Sequence, residues 1–148
     1  SIEETLQAFD RMRSTLQDLG FQGVFIHEQI PQGLEMILGI KGDPVFGPVV
    51  VLGAGGIYTE LLRDVSLRIA PVSRQEARAM VEELKIYRLL KGFRGKESLD
   101  IESLIDHIVL LSRLGDEHRE IRELDLNPVF VLADKVVVGD IHIGVDSE

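Results

Sequence analysis

Between Phe21 and Leu52 the chain leaves helical spacing for short runs rich in β-branched and aromatic residues, Val24–Ile30, Met36–Ile40 and Val45–Leu52. Pro31-Gln32-Gly33 and Gly42-Asp43-Pro44 separate these runs, and such punctuation between strand-length segments predicts an antiparallel meander. Before it, Ser1 and Glu4 have the spacing of a capping box, and Leu6, Phe9, Met12, Leu16 and Leu19 then recur at threes and fours until Gly20. That pattern predicts an amphipathic helix of about five turns, closed by glycine.

After the meander, Leu61–Ala70 reads as a strand rather than a helix, because Val65, Leu67 and Ile69 alternate with Asp64, Ser66 and Arg68. Ser73 with Glu76 predicts a capped helix to about Leu84, and Asp100 predicts another from Ile101 to about Leu114, before Gly115. Tyr87–Lys96, with Gly92, Gly95 and four basic residues, reads as an exposed loop facing either solvent or an anion. The last third predicts strands at Ile121–Leu126 and Val129–Leu132, then Lys135–Ile143 after an Ala133-Asp134 turn. The expected fold class is α+β, a largely antiparallel sheet packed in two layers against helices.

Composition narrows the function. A length of 148 residues suits one domain or part of one, and 45% hydrophobic with 28% charged residues is ordinary for a globular chain. Sixteen basic against 25 acidic residues leave a formal charge of -9, so neither nucleic acid nor an anionic membrane surface is an expected partner. The absence of cysteine excludes disulfides, thiolate metal sites and cysteine nucleophiles, and suits a reducing cytoplasm. The longest uncharged stretch, Pro44–Thr59, is short and broken by glycines, so no bilayer span is expected. Ser1-Ile2-Glu3-Glu4 lacks the basic and apolar regions of a signal peptide, so secretion is not expected either.

The segment with most chemistry is Glu123-Leu124-Asp125-Leu126-Asn127-Pro128. In a strand Glu123, Asp125 and Asn127 share one face while Leu124 and Leu126 point to the core. Pro128 lacks a donor and marks a strand end or edge, and Asp140, on the next strand of the expected hairpin, can reach the same space. Such hard oxygen donors suit Mg2+ bridging to nucleotide phosphates. The same pattern is also the ordinary wet face of an antiparallel sheet, and spacing alone leaves both readings open.

Gly53-Ala54-Gly55-Gly56 follows the Val49–Leu52 run. It can bring backbone amides close to an anion or simply turn out of a buried strand, and it is neither a P-loop nor a complete dinucleotide fingerprint. Arg63 and Arg68 downstream can contact phosphate or form surface ion pairs. Glu28 and Glu35 flank a linker able to offer backbone groups to a nucleobase and a carboxylate to ribose hydroxyls. The four histidines form no short metal-ligand pair, and no serine has the G-x-S-x-G setting of a hydrolase.

Taken together, His27–Glu35, Asp43–Val50, Gly53–Tyr58 and Glu123–Pro128 closely resemble the ATP-grasp region of NDP-forming acyl-CoA synthetases, the β-subunit type of ADP-forming acetate–CoA ligase. Asp64–Pro71 and Leu89–Gly95 are similar to that family too, and the resemblance runs from about Gly23 to Ile143. It implies that residues 1–148 form one partial domain, the C-terminal ATP-grasp lobe, with the upstream lobe lying outside them and the isolated chain catalytically incomplete. It places an adenine-binding hinge at Glu28, Gln29 and Ile30, a ribose carboxylate at Glu35, and magnesium ligands at Asn127 and Asp140 with Asp125 beside them. No catalytic residue is assigned.

The implied reaction is reversible: acyl-CoA, ADP and phosphate give carboxylate, CoA and ATP, with Mg2+ and ATP/ADP as cofactors. In the family it passes through an acyl phosphate and a phosphohistidine carried by a separate CoA-ligase domain, to which none of the histidines here is matched. The implied partners are the upstream lobe and the CoA-binding and CoA-ligase domains or subunit, and a homo-oligomer is compatible. His142 stands where the family usually has arginine. Two other readings are an acyl-CoA-synthetase-like regulatory module of a GNAT-type lysine acetyltransferase, and a non-catalytic domain whose acidic face binds a basic partner.

Overall fold

The computed structural model describes residues 1–31, 33–58, 63–95 and 97–145. Of the segments named above, Gln32, Thr59, Leu61, Leu62 and Lys96 lie outside the described residues.

Helix α1 (Ile2–Leu16) begins at the expected capping box, the Ser1 side chain accepting from the Glu4 N–H, and continues as a 3-10 turn, Gln17–Leu19, to Gly20 at φ 77°. None of its residues is buried. Its amphipathic face meets little beyond an edge-on contact of Phe9 with Phe21, ring centroids 5.7 Å apart. The following residues, 21–31, form no strand, and Phe25 and Ile26 are 93% and 75% exposed. The strand expected at Val24–Ile30 is therefore absent. Its β-rich composition has no neighbouring strand here to complete a ladder, and composition alone does not make a strand.

The meander starts one segment later. Strands β1 (Leu34–Asp43), β2 (Gly47–Ala54) and β3 (Val65–Ile69) pair antiparallel in sequence, and β4 (Ile121–Val131) adds on the other side of β1. The sheet order is β3-β2-β1-β4-β5, with β6 (Ile141–Val145) also pairing β4 and β5 spanning Val136–Val138. The tight β1–β2 turn is held by Asp43, whose carboxylate accepts from the Val45 and Phe46 N–H groups at 2.8 and 2.9 Å. Those bonds hold the Asp43 carboxyl below its ordinary range, with Phe46 the larger cause.

Helices α2 (Arg74–Glu82), α3 (Tyr87–Leu90) and α4 (Ile101–Glu117) lie between β3 and β4. α2 and α4 pack together on one face of the sheet, burying Met36, Leu38, Ile40, Val50 and Leu52 against Met80, Val81, Leu104, Ile105 and Ile108. Each such side chain contributes roughly 1.5–3 kcal/mol when fully removed from water. α4 runs past Gly115 to Glu117. Gly115 does not stop the helix; it lets it approach the sheet, since a Cβ there would lie 2.6 Å from Ile40. The segment Tyr87–Lys96 is not all loop: α3 buries Leu90.

Strand β3 is inverted relative to the usual alternation. Ser66 is buried toward the helices while Val65, Leu67 and Ile69 are about half-exposed on the opposite face. The polar side is satisfied: Glu83 accepts from the Ser66 hydroxyl and from Arg68 at 2.9 and 3.1 Å. Asp64, just before β3, is also buried, and its carboxylate accepts from the Lys85 and Ile86 N–H groups, both at 2.9 Å. This pins β3 to the end of α2.

Candidate functional site

Two strands expected on either side of Asn127 are one. β4 runs through Asn127-Pro128, and the register with β1 shifts between Met36 and Leu38, so that Ile37 faces the two-residue step. Pro128 therefore marks a bulge within the strand and not its end. The long strand expected at Lys135–Ile143 is instead divided into β5 and β6, because Gly139 and Asp140 lie at the same step. There the Asn127 N–H donates to the Asp140 carbonyl at 3.2 Å, and the Gly139 N–H donates to the Pro128 carbonyl at 2.8 Å.

The side-chain alternation follows the expectation: Leu124 and Leu126 are buried, Asp125 is half-buried, and Glu123 and Asn127 are exposed on the other face. Cross-strand pairing makes a row over that open face, Leu67–Val51–Gly39–Asp125–His142. Gly39 is required beside Asp125, since a Cβ would come within 2.7 Å of the Leu124 carbonyl. The structure thus brings Asp125, Asn127 and Asp140 to one end of the β4–β6 ribbon. Asp140 Oδ1 accepts from the Ile141 N–H at 2.9 Å. Among the described residues no three His, Cys, Asp or Glu side chains converge on one point.

The second half of the site lies where β1 begins and β2 ends. Gly55 donates its N–H to the Glu35 carbonyl at 2.8 Å, and a Cβ at Gly55 would lie 2.8–2.9 Å from the Glu35 and Met36 backbone. Gly56, at φ 57°, passes so close to Glu35 that a Cβ would meet its carboxylate oxygen at 2.6 Å. The glycine run therefore serves close backbone packing, with the Ala54 and Gly55 amides engaged within the protein. Beside it opens a cavity of about 570 Å3 lined by Glu35, Gly56, Tyr58, Phe93, Arg94 and Leu99 among others.

Glu28 and Gln29 are exposed and Ile30 half-exposed in the irregular segment before β1, and none of the three lines this cavity. Arg68 is committed to Glu83, which raises its affinity for its proton and leaves an ion pair instead of a free phosphate ligand. Arg63 is exposed, in left-handed backbone at φ 46°. Residue spacing alone does not place His142 directly across from Asp125; that follows from the β4–β6 register, continuous from Glu123–Gly144 to Leu126–Ile141.

A model of the ATP-grasp domain family matches residues 1–145. The chain belongs to the ATP-grasp family. Within it, the chain is 41% identical over 142 residues to the β subunit of ADP-forming acetate–CoA ligase I of Pyrococcus furiosus, covering 93% of this chain and 61% of that one. It is 43% identical over 127 residues to ADP-forming acetate–CoA ligase I of Archaeoglobus fulgidus, covering 86% of this chain and 18% of the relative. Among solved structures, ACD1 of Candidatus Korarchaeum cryptofilum in complex with coenzyme A matches at TM-score 0.86 and 42% identity, over 99% of this chain and 65% of that one. A structure of acetyl-coenzyme A synthetase 1 of the same organism, in complex with coenzyme A and Mg-AMPPCP, matches at TM-score 0.76 and 47% identity, over 79% of this chain and 55% of that one.

The ATP-grasp chain described here thus spans less than two thirds of each of these relatives. The resemblance to NDP-forming acyl-CoA synthetases and the α+β architecture agree with the comparisons. No helix among the described residues is long and apolar enough to cross a membrane.

Proposed function

We propose that this ATP-grasp chain is the nucleotide- and magnesium-binding lobe of an ADP-forming acyl-CoA synthetase. What supports the reading is the backbone pairing of Asn127 with Asp140 at the β4 step, two residues along β4 from Asp125 and on the strand next to Glu35 and its cavity. Hard oxygen donors and a cavity-lining carboxylate are the groups a magnesium nucleotide needs. The Korarchaeum relative's Mg-AMPPCP complex supports the same chemistry by analogy.

In this reading Asn127 and Asp140 hold the metal, Asp125 supports them, and Glu35 accepts from the ribose hydroxyls. Glu28, Gln29 and Ile30 form the hinge to the upstream lobe, where backbone groups meet the adenine edge. Bound magnesium supplies neutralisation of phosphate charge during phosphoryl transfer. The chain's own residues align the nucleotide so that the terminal phosphate of ADP faces the incoming phosphoryl group. Residues 1–148 form a single partial domain in this account. The upstream lobe closes the clamp, and CoA-binding and CoA-ligase domains or a separate subunit form the acyl phosphate and carry its phosphoryl group to the nucleotide on a phosphohistidine; the Pyrococcus relative is itself named as one subunit of such a ligase. The assembly works in the cytoplasm, consistent with the absence of cysteine. The relatives described above are ligases by name, and none is named as an acetyltransferase.

An assay of the full-length protein tests this. Acyl-CoA, ADP and phosphate should yield carboxylate, CoA and ATP in equal amounts with magnesium present. Production of AMP and pyrophosphate from ATP in the reverse direction would contradict it.

A further inference from the structure

Phe93 and Arg94, in the turn Gly92–Gly95, line the cavity beside Glu35. Gly92 and Gly95 have φ of 87° and 84°, and between them Arg94 sits at 52°. Left-handed backbone is easy for glycine and strained for arginine, so the fold by itself would favour glycine at this position. The Arg94 guanidinium carbon lies 5.4 Å from the centroid of the Phe93 ring. Among the described residues it has no carboxylate partner, whereas Arg68, Arg74 and Arg78 are each paired. Arg94 is also the one cation among the described residues lining the cavity, which include two carboxylates, Glu35 and Glu97.

That charge pattern selects a ligand. A bare phosphate would meet two like charges for one opposite charge. A molecule with hydroxyl donors for a carboxylate and an anionic group for a guanidinium satisfies both at once. We propose that Arg94 is a positioning residue for the nucleotide: its guanidinium, braced on Phe93, takes a phosphate oxygen of a nucleoside diphosphate whose ribose hydroxyls Glu35 accepts. This rests on the nucleotide reading of the site. The strained backbone is retained because arginine, unlike glycine, delivers charge into the cavity.

Calorimetric titration of the full-length protein with ADP, adenosine and inorganic phosphate, with Mg2+ present, tests the proposal on Arg94→Gly, Arg94→Lys and the unaltered protein. Arg94→Gly should weaken ADP binding about 10- to 100-fold, the scale of a lost charge-assisted hydrogen bond. It should leave adenosine binding unchanged and the melting temperature equal or higher, and Arg94→Lys should recover part of the loss. Equal losses for ADP and adenosine, or no loss for either, would overturn the role of Arg94 while leaving the nucleotide site standing. Binding of inorganic phosphate that disappears with Arg94 would replace the nucleotide by a free anion. Failure of the unaltered protein to bind ADP would overturn the nucleotide reading and this proposal with it.

Discussion

The Asn127 N–H donates to the Asp140 carbonyl at 3.2 Å, at the step where β4 exchanges β6 for β5 as its neighbour. The two residues are thereby held together by backbone and not by their own side chains. Gly139 makes that approach possible, since a Cβ there would lie 3.0–3.1 Å from Phe130 and Pro128. Gly139→Val should displace Asp140 and expose the Asn127 amide, read as faster hydrogen exchange at Asn127 with the Leu38–Leu126 pairing still protected.

Gly55→Ala should destabilise the chain by about 1–3 kcal/mol, the usual cost of forcing a methyl group into a packed site. Its Cβ would press on the backbone of Glu35 and Met36, which cannot swing aside as a side chain can. Urea unfolding would show it as a lower midpoint at unchanged slope.

Ser112 is fully buried in α4, accepts from the Val72 N–H at 3.1 Å and donates to the Val109 carbonyl at 2.8 Å. Ser112→Ala leaves the Val72 N–H without this partner, at a cost of about 1–3 kcal/mol. Ser112→Thr keeps the acceptor, so it should recover the hydrogen-bond part of that loss less the cost of its added methyl group, read from urea midpoints of both variants.

Stability should fall in acid through a definable group. Arg68 first, then Ser66, hold the Glu83 carboxyl below the ordinary glutamate value of 4.5. A depressed carboxyl stabilises the fold above the unfolded-state value, and the contribution is lost as pH falls through the lowered folded value. Glu76, Glu102 and Asp100 are shifted the same way by Ser73, by Arg78 with Arg74, and by Ser103. Urea midpoints should therefore drop below pH 4.5, and Glu83→Gln should show a shallower drop from a lower starting stability.

Local chemistry made much of the fold legible. The capping boxes at Ser1 and Ser73 and the cap at Asp100 start helices where the spacing places them. The alternation in Glu123–Asn127 sorts the faces as the pleat requires. What could not be read was set by neighbours. Val24–Ile30 has strand composition but no strand beside it, Val65, Leu67 and Ile69 face outward because Asp64 and Ser66 find partners at the end of α2, and Gly115 serves packing against Ile40. At the site, the residue types pointed to Asp125, Asn127 and Asp140, while the placement of His142 opposite Asp125 required the register.

The central claim is most directly tested by calorimetric titration of ADP with and without Mg2+, into the full-length protein and its Asn127→Ala and Asp140→Ala variants. Binding should need magnesium and be lost in both variants, with melting temperatures little changed. Binding that is indifferent to magnesium, or that survives both substitutions, would contradict it.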